Sequence, residues 1–360
     1  MFTPDDHRHM AYALDLAARG LYTTTPNPRV GCVIVRDGKV VGEGWHEKAG
    51  AAHAEAIALE HARKQAAGAT LYVTLEPCAH HGRTPPCVEA LLKAKPARVV
   101  AAMQDPNPQT AGKSFEQLRS AGIMVDVGLM EAEARELNIG FVTRMTRGTP
   151  WVRMKVAASL DGRTALADGQ SQWITGSDAR CEGHAWRARA CAVLTGVGTV
   201  KDDDPQLNVR EVQTTRQPLR VVVDSRMQTP LTAKILGPGT IIAAAGADVP
   251  RSVALRAKGA EVVVLPNHEG KVELPALLQE LARRGCNEVH VEAGHKLNGS
   301  LIDEGLVDEL LIYMAPCILG DTAQGMFHLP PLKNLGGRRK LKIIDVTRVG
   351  EDLRIRAKPE

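Results

Sequence analysis

The chain has 360 residues, 44% hydrophobic and 24% charged, with seven cysteines and a formal net charge of +4. That length suits two domains with separate cores, and the composition excludes a disordered or fibrous chain. Four each of Trp, Tyr and Phe are too few for a base-stacking platform, the small positive excess makes no polyanion-binding surface, and an odd cysteine count argues against a disulfide framework.

Residues 7–18 carry an amphipathic helical pattern that stops near Gly20. Residues 30–35 and 39–45 read as strands joined at Asp37-Gly38, a strong hairpin signal. A helix rich in Ala, Leu and Glu follows at 53–66, then a buried strand at 70–75 and a helix at 88–94 after a double proline. Strand 98–103, helix 116–121 and strand 123–127 complete a layered α/β pattern. A fresh start at Gly148-Thr149-Pro150 places the domain boundary between residues 147 and 148. Beyond it, 151–158 is strand-like and 177–189 helical. Short apolar strands recur at 192–197, 219–223, 240–244, 262–265 and 288–292, with a helical pattern at 274–284. Residues 342–356 read as a terminal hairpin turning at Gly350-Glu351. The polar start shows no secretory pattern and no apolar run is long enough for a membrane span. A cytoplasmic protein without a membrane partner is expected.

The densest chemistry lies in His53-Ala54-Glu55, Glu76-Pro77-Cys78 and Pro86-Cys87. His53, Cys78 and Cys87 are a donor set for tetrahedral zinc with one position left open, the mark of a catalytic rather than a structural site. Zinc so held lowers the pKa of bound water towards neutrality. Glu55, two residues past a ligand in the same first helical turn, is placed as the proton shuttle. Pro86-Cys87 opens a helix, whose dipole favours a thiolate. A structural zinc would instead need a fourth protein ligand, for which His46, His80 and His81 are at hand. Cys32 lies inside an apolar strand and reads as core.

His-x-Glu followed by Pro-Cys…Cys resembles the zinc deaminases of nucleosides and nucleobases. Their common form has two residues between the cysteines. Here the insert Ala-His-His-Gly-Arg-Thr-Pro-Pro separates Cys78 from Cys87, and that insert, with Thr25-Pro26-Asn27-Pro28-Arg29-Val30-Gly31, is similar to the riboflavin-biosynthesis deaminases. The resemblance implies a cytidine-deaminase-like three-layer α/β/α domain. It also implies a pyrimidine substrate contacted by Asn27, His46, His80 and Thr84; His81 reads as an exposed loop residue.

The second half has no Gly-x-Gly-x-x-Gly after its first strand, so an ordinary dinucleotide fold is not indicated. Two glycine turns follow strands instead, at Thr195-Gly196-Val197-Gly198-Thr199 and from Glu292 to Ser300. Such turns let backbone N–H groups approach a phosphate. With the segment running from Lys155 to Gly162, and with Ser171-Gln172-Trp173-Ile174-Thr175, they resemble the reductase domain of the bifunctional riboflavin-biosynthesis enzymes, so that the likeness covers essentially the whole chain. It implies a dihydrofolate-reductase-like α/β domain using NADPH. Carried across, Ala157, Trp173, Thr199, Asp203, Ser225, Gly294, His295, Lys296, Leu297, Asn298, Gly299 and Ser300 contact NADPH. Lys155, Ser171, Arg187, Leu207, Arg210 and Glu292 contact the substrate, with the two arginines suited to its phosphate. Ala293 stands where glycine is commoner in the family. Residues 1–147 would then deaminate a diaminopyrimidinone ribosyl phosphate, and residues 148–360 would reduce its ribosyl group to ribityl. The family leads us to expect a homo-oligomer joined through the reductase domain. The alternative is a nucleic-acid-editing zinc deaminase with an accessory second half. The lack of basic and aromatic clustering argues against nucleic acid as a partner.

Overall fold

Thr3 opens the first helix. Its hydroxyl accepts the Asp6 backbone N–H at 3.1 Å while the Asp6 carboxylate accepts the Thr3 N–H at 2.8 Å. This capping box starts α1 at Pro4 (Pro4–Ala18), earlier than apolar periodicity indicates. The computed structural model describes residues 1–79, 85–108 and 110–360, in two units, Met1–Gly148 and Thr149–Glu360.

In the first unit, β1 (Gly31–Arg36) and β2 (Lys39–Trp45) form the expected hairpin, with Asp37 and Gly38 at φ 50° and 73°. Then come α2 (Ala54–Ala62), β3 (Thr70–Val73), α3 (Cys87–Ala94), β4 (Arg98–Ala101), α4 (Lys113–Ser120), β5 (Met124–Val127), α5 (Glu131–Leu137) and α6 (Ile139–Arg147). The sheet order is β2-β1-β3-β4-β5, antiparallel to β3 and parallel beyond it. Gly31 sits under α1, where a Cβ would lie 1.9 Å from the Ala13 carbonyl. Gly42 and Gly44 sit under α2, their Cβ positions 2.2 and 2.6 Å from the Ala58 and Ala54 carbonyls. Gly44 pairs with Cys32, the neighbour of Gly31, so the two helices cover opposite faces and make three layers. The helix expected at 53–66 divides: Arg63 turns to φ 50° and residues 63–66 finish as a 3₁₀ turn. Helices α5 and α6 have no counterpart among the expected elements; in α5, Glu-Ala-Glu-Ala-Arg-Glu-Leu shows no apolar stripe.

The second unit runs β6 (Trp151–Ser159), β7 (Arg163–Ala165), α7 (Ser177–Arg189), β8 (Ala192–Gly196), α8 (Val197–Asp203), β9 (Leu219–Val223), β10 (Thr240–Ala244), α9 (Val249–Ala257), β11 (Ala260–Val264), α10 (Leu274–Arg283), β12 (Glu288–Val291), α11 (His295–Asp303), β13 (Glu309–Ala315), β14 (Gln324–Gly325), β15 (Leu341–Val349) and β16 (Asp352–Pro359). Nine strands form one sheet in the order β11-β10-β9-β8-β12-β6-β13-β16-β15. The strands from β11 to β13 are parallel and the terminal hairpin adds antiparallel. β13 has no counterpart among the expected strands; an unbroken apolar run fits a buried helix as well as a strand. One face of the sheet is apolar throughout, from Val152, Met154 and Val156 to Leu194, Ile241, Val289 and Val291. The other face is apolar under β8 to β11, where Val193, Val222 and Ile242 lie, and again on β13, where Leu311 and Tyr313 pack against Ala179 and Trp186 of α7. On β12 and β6 it carries Glu288, His290, Arg153 and Lys155, and α7 packs against β12. No helix among the described residues is long and apolar enough to cross a membrane.

Candidate active sites

Two helix N-termini build the first site. His53 is the N-cap of α2 and Cys87 the first residue of α3, after Pro86. Cys78 comes from the segment beyond β3, where its Sγ accepts the Cys87 backbone N–H at 3.2 Å. The His53 Nδ1 lies 3.5 Å from the Cys78 Sγ and 3.3 Å from the Cys87 Sγ, and all three ligand atoms fall within 4.8 Å of one another. A tetrahedral zinc with ordinary Zn–S and Zn–N lengths separates its ligand atoms by about 3.5–3.8 Å, so the donor set fits that metal. Cys87 and His53 both favour a deprotonated Cys78, whose pKa falls; the Cys87 thiol is pushed up, first by its bond to Cys78 and then by burial.

Glu55 is buried in the first turn of α2 and is not a member of the ligand cluster. Burial, and then the charge of Cys78, push its carboxyl up to about 7. A carboxyl poised there both takes and gives protons near neutral pH. Asn27 closes the turn at residues 24–27, its backbone N–H donating to the Thr24 carbonyl at 2.9 Å, and its side-chain Nδ2 lies 3.0 Å from the His46 Nε2, to which it can only donate. The His46 Nδ1 lies 3.0 Å from the Ala52 carbonyl, which can only accept. That fixes the tautomer: Nδ1–H donates, Nε2 accepts from the Asn27 amide, and the Asn27 Oδ1 is left as the outward acceptor. Burial lowers the His46 pKa and keeps the ring neutral. His80 and Thr84, with His81, lie outside the described residues. Cys32 is buried on β1, in the core. Glu76 holds the chain rather than a ligand: its carboxylate accepts the Asp105, Gly112 and Ser114 N–H groups and the Ser114 hydroxyl.

In the second unit the residues singled out from sequence gather at the C-terminal ends of β6, β8 and β12, where open parallel sheets take ligands. Lys155 lies on β6, its ammonium 5.9 Å from the Tyr313 ring centroid. Burial lowers its pKa against the pull of Glu292. Arg187 on α7 grips Glu292 with both arms, Nε to Oε1 at 2.5 Å and Nη2 to Oε2 at 2.8 Å, and its third nitrogen reaches the Asn208 carbonyl at 3.2 Å. Burial raises the Glu292 carboxyl, but Arg187 and Lys155 outweigh it and hold it below the usual carboxylate range. The fork expected to receive a phosphate is therefore committed to a carboxylate here. Arg210 is exposed; its backbone N–H donates to the His184 Nδ1 at 3.2 Å.

The glycine turns meet each other. Gly294, the N-cap of α11, donates its N–H to the Thr199 Oγ1 at 3.1 Å, and a Cβ on Gly196 would lie 3.4 Å from Leu297. The N-termini of α8 and α11 thus sit side by side, an arrangement that suits a diphosphate. Not every residue of that turn faces outward. Asn298 is buried and donates to the Ala293 carbonyl at 3.0 Å, and Gly299 packs so closely on His328 that a Cβ would lie 1.9 Å from its carbonyl oxygen. His295, Lys296 and Ser300 remain accessible. Ser171 and Gln172 both donate to the Asp203 Oδ1, at 3.3 and 3.5 Å. Trp173 is exposed with the Arg180 guanidinium 4.7 Å over its ring, and Ala157 is half-buried on β6. The Ser225 Oγ accepts the Val272 N–H at 3.2 Å. Leu207 sits in the apolar core at φ 50°, so only its backbone is available to a ligand.

Sequence reasoning passed over Arg153, His290 and Glu309. Arg153 and His290 lie in strands that read as apolar, where the signal is the alternation of polar with apolar residues, whereas Glu309 opens β13, whose apolar run carries no such signal.

The fold and the two sites together define a chain that joins a zinc-type deaminase unit to a reductase unit. Residues 3–103 match the cytidine and deoxycytidylate deaminase zinc-binding region, and residues 150–355 match the RibD C-terminal domain. The riboflavin biosynthesis protein RibD of Escherichia coli strain K12 is 47% identical over 361 residues, which cover 97% of this chain and 98% of that one. Its counterpart in Haemophilus influenzae is 45% identical over 371 residues, covering 100% and 99%. Among solved structures, Acinetobacter baumannii RibD superposes with a TM-score of 0.92 at 46% identity, over 99% of each chain. A Thermotoga maritima diaminohydroxyphosphoribosylaminopyrimidine deaminase/5-amino-6-(5-phosphoribosylamino)uracil reductase does so with a TM-score of 0.85 at 32% identity, again over 99% of each. The chain belongs to the RibD family, the bifunctional deaminase–reductase enzymes of riboflavin biosynthesis. A nucleic-acid-editing deaminase is not supported by likeness that runs the full length.

Proposed function

We propose that the first unit deaminates a diaminopyrimidinone ribosyl 5′-phosphate and that the second reduces the deaminated ribosyl group with NADPH. The observation that carries the first step is the His53, Cys78 and Cys87 cluster with a buried, non-ligating Glu55 beside it. His53, Cys78 and Cys87 would hold zinc, which when bound supplies Lewis acidity towards the attacking water. Glu55 takes that water's proton and returns it to the departing amino group. Water adds at the amidine carbon, the C–N bond breaks, ammonia leaves and a carbonyl remains. The Asn27 Oδ1, aimed by His46, accepts an N–H of the pyrimidine; His80 and Thr84 belong to the same subsite by family likeness.

For the second step, the paired α8 and α11 N-termini support a dinucleotide diphosphate at Thr199, Gly294 and the accessible residues after it. Ala157, Trp173, Asp203 and Ser225 complete the NADPH contacts. The nicotinamide supplies the hydride. Lys155, Ser171, Arg187, Leu207, Arg210 and Glu292 hold the substrate, and Lys155 with Asp203 are the groups placed to steady or protonate the open-chain imine. Two thiolate ligands suit the reducing cytoplasm. The exposed Leu341, Ile343 and Val346 on the edge strand β15 support a homo-oligomer joined through this unit.

Supplying the diaminopyrimidinone ribosyl phosphate with and without NADPH tests both steps. Ammonia should appear without NADPH, and NADPH should be consumed only after deamination. NADPH consumption on the diamino compound in a Glu55→Gln chain would overturn the order, and absence of ammonia would overturn the first step.

A further inference from the structure

On β12 the polar face carries Glu288, His290 and then, just past the strand, Glu292, while Val289 and Val291 face the apolar core. Each carboxylate of this row has an arginine. Glu288 accepts from Arg153 at 3.0 Å and Arg189 at 2.7 Å, and Glu292 is held by both arms of Arg187. His290 alone is unpaired. It is wholly buried, opposite Arg153 on β6 and Val193 on β8, and among the described residues neither ring nitrogen has a hydrogen-bond partner. Its Nε2 stands 3.6 Å from the Glu292 Oε1, just beyond hydrogen-bond reach. Burial, with Arg153, Arg187 and Lys155 nearby, pushes its pKa down to about 3 against the pull of Glu292, so the ring is neutral and one nitrogen carries hydrogen.

A buried imidazole with two unpartnered nitrogens weakens a fold, and an apolar side chain of similar volume would remove that penalty. A group held at such a disadvantage, aimed at a carboxylate of the site, has a use beyond filling space. The difficulty it answers is visible beside it. Arg187 and Glu292 both belong to the proposed substrate subsite, yet Arg187 has one fork and Glu292 occupies it. When Arg187 turns to an incoming phosphate, Glu292 loses both of its charge-assisted hydrogen bonds and keeps only the nearby charge of Lys155.

We propose that His290 is a positioning residue of the reductase site, whose Nε2–H closes on the Glu292 Oε1 and holds that carboxylate when Arg187 swings to the substrate phosphate. The inference rests on the substrate contacts proposed above for Arg187 and Glu292. No proton moves in the step: the imidazole stays neutral, the carboxylate stays ionised, and one donor replaces another.

The test compares His290→Met and His290→Gln in the full chain. Met fills the space without a donor, whereas Gln places an amide N–H near the position of Nε2. His290→Met should melt no lower than the parent and deaminate normally. Its reductase KM for the deaminated ribosyl phosphate should rise about tenfold with kcat altered by less than about threefold. His290→Gln should return the KM to within about threefold of the parent. A KM unchanged in His290→Met, or no recovery in His290→Gln, overturns the proposal. If the Met variant does not fold, ¹⁵N-histidine spectra of the parent decide, with His290→Gln assigning the signal. Ribose 5-phosphate should shift the Nε2 resonance towards a hydrogen-bonded N–H, and an unmoved resonance overturns it. Arg187→Lys separates the two layers of the argument: an unchanged KM there defeats the substrate-contact reading itself, while a raised KM there beside an unchanged His290→Met defeats His290 alone.

Discussion

The two units solve the same problem, holding reactive groups in a buried place, by opposite means. In the first, four side chains from three chain segments converge on the ends of two helices, and the groups are few and soft: a histidine, two thiols and one carboxyl. In the second, charges are laid in a sheet face. Arg153 lies between Glu288 and Glu309, both 1% exposed, while Arg356 and Arg189 close the ends and Arg153 stacks 4.6 Å over Trp186. The first site is a point that a metal can organise. The second is a field, in which each group's position depends on its neighbours. A point site should fail by loss of one function with the fold intact, whereas a field should fail by loss of stability.

The largest expected effect tests the first half of that contrast. Glu55→Gln should reduce deamination by roughly 10³-fold, with zinc content by metal analysis unchanged and reduction of pre-deaminated substrate unaffected. Loss of zinc in that variant would make Glu55 a ligand and break the contrast. Arg153→Met tests the second half. Removing it takes one of two cationic partners from each of Glu288 and Glu309, leaving them only Arg189 and Arg356, and the second unit should lose about 3 kcal/mol in denaturant unfolding, while the first unit's transition stays put.

Acid sharpens the same point. Burial raises the Glu309 carboxyl, but Arg153 and Arg356 outweigh it and hold it down to about 2, against an ordinary 4.5. A depressed carboxyl contributes stability that is full above the unfolded value and fades as pH falls through the folded one. The second unit should therefore be steady above about pH 5 and lose on the order of 3 kcal/mol between pH 4.5 and 2, read by urea midpoints at pH 6 and pH 3. A flat profile would show that the buried layer is not ionised. The smallest effect is Thr199→Val, which strips the Gly294 N–H of its acceptor and should weaken the nicotinamide cofactor by about 1 kcal/mol, roughly a fivefold rise in its KM.

What could be read in advance divides along the same line. His53, Glu55, Cys78 and Cys87 announced themselves because soft ligands and a carboxyl at helix starts are rare, and the capping geometry that unites them is local. The hairpin at Asp37-Gly38 and the helix over Ser177–Arg189 were equally legible, since turn chemistry and period are properties of short segments. The pairing of Arg187 with Glu292 was not, because those residues stand 105 positions apart. Nor was the role of Glu76, whose partners lie beyond residue 104.

By itself, then, the sequence of 360 residues determined two α/β units, a His-Cys-Cys donor set with a carboxyl two residues from its histidine, and glycine turns after two strands. Its odd cysteine count needed no pairing, since Cys78 and Cys87 lie together on one histidine and the described chain holds no disulfide. Only the tertiary structure decided what the alternating residues of β6 and β12 do. Alternation in one strand says that two faces differ, not that both are covered. Here β6 lies between β12 and β13, with apolar core on one side and α7 over the polar face of β12. The alternating Arg153, Lys155, Glu288 and His290 therefore form a buried electrostatic layer beneath the second site.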